Sequence, residues 1–169
     1  MEAYLDNSAT TRVDAQVQEL MKKLMDVDFG NPSSRHQKGV VAEGYIKDAR
    51  QKIAATLKVD PKELIITSGG TESNNMALIG TALAAKRKGN HIITTAVEHP
   101  SVKATASFLE EQGFRITFLS VDSRGQISLE ELKEALTPDT ILVSIMYVNN
   151  EIGTIQPIEE AAKLVHATA

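Results

Sequence analysis

Four short polar segments hold the residues whose types and spacing can do chemistry. The first is Thr67-Ser68-Gly69-Gly70-Thr71, set between the apolar run Leu64-Ile65-Ile66 and a helical pattern. Two glycines at such a junction let the chain turn sharply and approach a ligand closely. A helix N-terminus offers unpaired N–H groups and partial positive charge, so Gly70 and Thr71 are candidates to grip a phosphate, with the Ser68 and Thr71 hydroxyls as further donors. The Gly-Lys-Ser/Thr of a P-loop is absent, and a tight turn with Thr71 as a helix cap accounts for the same residues. The second segment is Val97-Glu98-His99-Pro100-Ser101. His99 falls after a strand and before a helix, where open α/β sheets bind ligands. An imidazole there can stack on a ring or move a proton, or simply bond to loop backbone. The third is Tyr147 to Gly153, whose amides Asn149 and Asn150 can face a ligand or build a turn. The fourth, Tyr4 to Thr11, is dense in small polar residues and also reads as a strand followed by a helix cap. Together they suit one ligand with a phosphate, a flat ring and polar ring substituents. No His pair has metal-ligand spacing, so no metal is expected.

The elements that must position these segments follow from hydrophobic periodicity. Val13 to Val27 has apolar residues at helical spacing and ends before the loop signals of Phe29-Gly30-Asn31-Pro32-Ser33-Ser34. A second helix runs from about Gly39 to Leu57, then a turn at Val59-Asp60-Pro61. Leu64 to Thr67 reads as a buried strand and Glu72 to Lys88 as a helix stopped by three basic residues and Gly89. Strands at His91–Thr95, Arg115–Val121 and Ile141–Met146 alternate with helices at Pro100–Gln112, at Ser128–Leu136 (opened by a Ser-x-x-Glu capping box) and at Pro157–His166. Strands separated by helices predict an α/β layer with a largely parallel sheet. No repeat, linker or low-complexity tract asks for an internal boundary.

Composition narrows the classes. The chain has 169 residues, 18 Lys+Arg against 22 Asp+Glu, and charges of both signs mixed along it, so no basic face suggests nucleic-acid binding. A chain near this size buries roughly two-thirds of its unfolded surface, enough for a real core. No run approaches the roughly 18 apolar residues of a membrane span, and the start has no secretory character; a cytoplasmic location is expected. There is no cysteine, which excludes a disulfide framework, a Cys-based zinc site and a cysteine nucleophile within this chain.

Five segments carry a family resemblance: YLDNSATT (Tyr4–Thr11), FGNPSSRH (Phe29–His36), TSGGTESNN (Thr67–Asn75), EHPSV (Glu98–Val102) and ILVSIMYVNNEIGTIQPI (Ile141–Ile158). In this order they make the chain resemble the N-terminal part of NifS/IscS-type cysteine desulfurases, pyridoxal-phosphate enzymes of the class V aminotransferase group. The resemblance implies a three-layer α/β sandwich with a mainly parallel sheet, part of the large domain of a fold type I PLP-transferase. Residues 1–15 would form an N-terminal segment beside the small domain or the pocket edge. Residues 16–169 would be the N-terminal portion of the PLP-binding large domain.

The resemblance also assigns roles. Gly70 and Thr71 match the phosphate cup, and His99 the histidine that stacks on the pyridine ring and partners proton transfer. Asn150 matches the residue near the cofactor's phenolic oxygen and the substrate carboxylate. Asn7–Thr11 and Asn31–Ser34 match segments bordering the pocket. The implied cofactor is pyridoxal 5'-phosphate and the implied substrate L-cysteine, with alanine and an enzyme persulfide as products, the sulfur destined for iron–sulfur clusters or other acceptors. The family's PLP-binding lysine follows Ser and His, and no lysine here stands in a Ser-x-His-Lys context. That lysine and the reactive cysteine are expected from a complementary C-terminal polypeptide. The other expected associations are a homodimer of complete units and a sulfur-acceptor or scaffold protein. A non-catalytic PLP- or phosphate-ligand module, or scaffold, is the alternative that the missing lysine and cysteine motivate. Selenocysteine lyases and other class V members share several of the motifs. An ordinary nucleotide-binding domain is disfavoured, since neither GxGxxG nor a P-loop occurs.

Overall fold

The computed structural model describes residues 3–168. Backbone contacts divide the chain into two compact units, Met1–Ile66 and Thr67–Ala169.

The first unit contains α1 (Ala15–Asp26), α2 (Gln37–Leu57) and a 3-10 turn at Pro61–Glu63. Asp14 opens α1 by accepting from Gln16 N–H at 2.8 Å, the ordinary use of a side-chain oxygen at a helix start. The two helices are tied through Tyr45, whose hydroxyl donates to Asp28 at 2.7 Å and accepts from Lys23 at 2.8 Å. Asp60 and Glu63 form a reciprocal capping box around the 3-10 turn, a motif the Val59-Asp60-Pro61 turn reading passes over. The strand expected at Leu64–Thr67 is absent. Ile65 and Ile66 are 70% and 59% exposed, and the Leu64 carbonyl accepts from Arg50 at 2.6 Å instead of joining a ladder. A β-branched run becomes a strand only where a neighbour completes its hydrogen bonds, and no described strand pairs with it.

The second unit is a three-layer α/β sandwich. Strands β1 (His91–Thr95), β2 (Arg115–Leu119) and β3 (Thr140–Val143) make a parallel sheet in the order β2-β1-β3. Helices α3 (Gly70–Ala85) and α4 (Pro100–Glu111) pack Leu78, Ala82, Val102 and Leu109 against Ile92 on one face. On the other, Leu132 of α5 (Leu129–Ala135) and Ala161 of α6 (Ile158–Thr168) pack with Ile93 and Leu119. Period-two alternation sends neighbouring β1 residues to opposite faces, and every β1 residue is buried. His91 is fully enclosed, with Nδ1 2.7 Å from the Thr140 hydroxyl and Nε2 2.8 Å from that of Thr117, so it spans all three strands.

Several boundaries differ from the periodic reading for identifiable reasons. β2 stops at Leu119 because Val121 turns back to pair with Ile127. β3 stops at Val143; the Met146 N–H goes to a side chain of another loop. The expected capping box at Ser128 is half made: Ser128 accepts from Glu131 N–H, while the Glu131 carboxylate is taken by Ser120. Gly89 does not close α3, which ends at Ala85; it is needed because a Cβ there would sit 2.3 Å from the Asp139 carbonyl oxygen.

The doubly buried position of Ile93 predicts that Ile93→Ala lowers unfolding free energy by about 2–5 kcal/mol, measured as a drop in the urea midpoint at unchanged slope.

Candidate functional site

The site lies at the C-terminal ends of β1 and β3 and at the start of α3. Because the strands are parallel, the loops after β1 (residues 96–99) and β3 (144–157) leave the same sheet edge. The chain connects β1 to β2 on one side and then crosses to β3 on the other. Ligands of open α/β sheets bind where strand order diverges in this way.

α3 begins at Gly70, two residues earlier than the periodicity predicts, with Gly69 as its cap position and no side chain capping it. Thr71 is therefore inside the first turn rather than the cap. Glu72 reaches back to Ser68, accepting from its N–H at 2.7 Å and its hydroxyl at 2.6 Å. These two bonds hold the Glu72 carboxyl below its ordinary range and keep it at the residue just before the helix cap position. A Cβ at Gly69 or Gly70 would meet nothing within 4 Å. No neighbour crowds either glycine, and the N–H groups at the helix start lack a side-chain acceptor.

His99 caps α4. Its Nδ1 accepts from Ser101 N–H at 3.1 Å and lies 2.8 Å from the Ser101 hydroxyl. Accepting a backbone N–H requires the Nδ1 lone pair, which puts the ring proton on Nε2. Pro100 at the first helical position costs nothing there, since its missing N–H would be unpaired anyway. The imidazole itself is exposed. Gly70, Thr71, Asn74, His99 and Ser101 line one open cavity of about 350 Å³.

Asn150 lies in a neighbouring cavity of about 300 Å³ that shares His99 and includes Glu98, Lys103 and Asn149. The two adjacent amides have different tasks. Asn149 is buried; it accepts from Glu151 and Ile152 N–H and donates to the Val97 carbonyl at 3.0 Å. Asn150 is exposed. Gln156, also buried, closes the loop by accepting from Ile127 N–H at 3.0 Å and donating to the Gly125 carbonyl at 2.7 Å. Glu98 is 5% exposed, and one of its oxygens accepts both Met146 N–H at 2.7 Å and the Thr95 hydroxyl at 3.1 Å. Burial pushes its carboxyl up despite those two bonds. Glu98 and Asn149 together pin the His99 loop to the Asn150 loop.

The structure thus brings Gly70, Thr71 and His99 to one cavity and joins Asn150 through His99. Asn74, Glu98, Asn149 and Ser101 complete the arrangement. The only sequence signal for them is adjacency to the four singled out, inside the same motifs. The polar segments of the first unit make local structure: Asp6 accepts from Ala9 and Thr10 N–H, and the Asn31 side chain accepts from Ser33 N–H at 2.9 Å. Among the described residues no three His, Asp or Glu side chains converge as metal ligands, and no helix is long and apolar enough to cross a membrane.

A helix start with no side-chain cap, the Thr71 residue and the exposed His99 meet at one open cavity at the end of the parallel sheet. The donor set fits pyridoxal phosphate, with Gly70 and Thr71 available to the phosphate and His99 to the ring. The chain belongs to the aminotransferase class-V family, whose model matches residues 3–169; members of this family use PLP. It is 52% identical over 163 residues to cysteine desulfurase IscS of Dictyoglomus turgidum, covering 96% of this chain and 41% of that protein. Among solved structures, a NifS-like protein superposes with a TM-score of 0.95 at 43% identity, covering 99% of this chain and 46% of the other. A structure of SspA in complex with cysteine gives 0.88 at 41% identity, covering 95% and 46%. The chain spans about two-fifths of the length of the curated relatives it matches.

The buried Glu98 makes a pH-dependent prediction. Its folded-state pKa is raised above the unfolded value, so its contribution to stability is full at low pH and is lost as pH rises through the raised value. Glu98→Gln keeps an acceptor for Met146 and Thr95 and removes the charge. The urea midpoint of this variant relative to the parent is expected to improve as pH rises from about 4 to about 7; a difference that is flat with pH contradicts this.

Proposed function

We propose that this chain supplies the cofactor grip of a pyridoxal 5'-phosphate-dependent cysteine desulfurase. The reaction takes sulfur from L-cysteine, leaving alanine and a persulfide on an enzyme cysteine. The carrying observation is the convergence of Gly70, Thr71 and His99 on one cavity at the α3 start. The desulfurase names of the relatives support the same reading, and the cysteine held by SspA supports the substrate class.

When bound, pyridoxal phosphate supplies an electron sink for the bonds at the amino acid's Cα. Gly70 and Thr71 N–H groups, aided by the positive end of α3 and the Thr71 hydroxyl, hold its phosphate. His99 would lie against the ring, with its Nδ1 spent on α4 and its Nε2–H left as a hydrogen-bond donor toward the site. Asn150 presents amide donors to the ring oxygen or the substrate carboxylate from the adjoining loop.

Sulfur transfer breaks the substrate's Cβ–S bond, forms an S–S bond to an enzyme thiolate and delivers a proton to the released carbon. The thiolate must come from outside this chain, which contains no cysteine. The same holds for the cofactor-binding lysine, because no lysine here stands in a Ser-x-His-Lys context. A complementary C-terminal polypeptide is proposed to provide both and to cover Tyr147, Ile152 and Ile155, three apolar side chains 58–66% exposed in one loop. A homodimer of complete units, working in the cytoplasm and passing persulfide sulfur to an acceptor or scaffold protein for iron–sulfur cluster assembly, completes the proposal.

Removing one hydrogen bond to a charged group costs about 1.5–3 kcal/mol, or roughly tenfold to a hundredfold in affinity. Thr71→Val is therefore expected to weaken pyridoxal phosphate binding by about that factor, followed by the cofactor's absorbance in titrations of the purified protein. Unchanged affinity in both Thr71→Val and His99→Ala would overturn the reading.

A further inference from the structure

We infer that Asn74 and Ser101 are positioning residues that lock the His99 ring to the start of α3, so that ring contact is set by the same helix that holds phosphate. This rests on the cofactor reading above. Asn74 Nδ2, one turn into α3, donates to Ser101 Oγ at 2.9 Å. Ser101 Oγ in turn lies 2.8 Å from His99 Nδ1. The Asn74 amide occupies one lone pair of the serine oxygen, which turns the serine proton toward the imidazole. A second bond between the same helices runs parallel to the first: the Thr105 hydroxyl donates to Asn75 Oδ1. Ser101 is 9% exposed, so water competes poorly for these bonds.

Capping α4 does not need the serine hydroxyl, because Ser101 N–H already donates to Nδ1 at 3.1 Å. The Asn74–Ser101–His99 chain is therefore in excess of what the helix requires. Its geometric effect is to fix the rotation of the imidazole about its side-chain bonds relative to Gly70 and Thr71, which share its cavity. A ring held in advance binds a flat partner without first losing rotational freedom.

The test separates the two halves of the ligand. Affinities for inorganic phosphate, pyridoxal and pyridoxal 5'-phosphate are measured on the purified protein in the assembly in which it is isolated. The variants are Ser101→Ala, Ser101→Thr, Asn74→Ala and His99→Ala. Ser101→Ala and Asn74→Ala are each expected to weaken pyridoxal about two- to tenfold, the worth of one neutral hydrogen bond, and to leave phosphate within twofold. Ser101→Thr restores pyridoxal binding. If His99→Ala weakens pyridoxal but Ser101→Ala does not, the positioning role is overturned and the cofactor reading stands. If His99→Ala leaves pyridoxal unchanged, the ring contact and the positioning role are overturned, and the cofactor reading falls only if Thr71→Val also leaves pyridoxal 5'-phosphate affinity unchanged. Equal losses for phosphate and pyridoxal in Ser101→Ala indicate a structural defect and also overturn the role.

Discussion

Burial of β1 on both faces is the constraint on which the larger unit depends. Five residues between two sheets of helices must satisfy apolar packing and polar bonding at once, and His91–Thr95 does so by position. Ile92 and Ile93 point to opposite faces and join separate clusters, one with α3 and α4 and one with α5 and α6. His91 bridges to Thr117 and Thr140 at the entry end, and Thr95 bonds Glu98 at the exit end. The strand hands the chain to His99 four residues after Thr95, so the place of the imidazole is measured from the core rather than from the surface.

The relative placement of the two site loops comes from buried polar groups. Glu98 and Asn149 tie two loops that share no backbone ladder: Glu98 accepts the Met146 N–H beyond the end of β3, and Asn149 accepts the Glu151 and Ile152 N–H groups of its own turn while donating to the Val97 carbonyl. An apolar residue at either position would fill the space and leave those donors unsatisfied, a cost comparable to the bond itself. A buried carboxyl is an expensive way to hold a loop. It is tolerated here because one oxygen serves two donors at once.

The alternation of strands and helices was legible because β1, buried on both faces, and the partly buried β2 and β3 are short runs rich in β-branched and apolar residues, while the helices carry ordinary start and stop residues. The same logic misplaced Ile65 and Ile66: their β-branched side chains carry propensity, but only pairing makes a strand, and pairing is not a local property. The ends of β2 and β3 were equally opaque, since they are set by Val121 pairing with Ile127 and by Met146 bonding to Glu98, partners far away in sequence. At the site, Gly70, Thr71, His99 and Asn150 stood out by residue type. The division of labour between Asn149 and Asn150 did not, because two adjacent amides are chemically identical until one is buried. Ser101 and Asn74 were invisible for the same reason: 27 positions apart, nothing but the fold makes them neighbours.

The two kinds of attachment around β1 also set a hierarchy in time. Its amides are paired with strands on both sides and shut away from water, so they exchange hydrogen with solvent only when the whole unit opens. The loops at residues 96–99 and 144–152 are held by a few separate bonds, from the buried Glu98 and Asn149 side chains and from isolated backbone pairs, rather than by a continuous ladder, and open locally at far lower free energy. The part of the molecule that meets a ligand can therefore fluctuate many times for each opening of the sheet that positions it. A fast, yielding rim is thus mounted on a slow foundation.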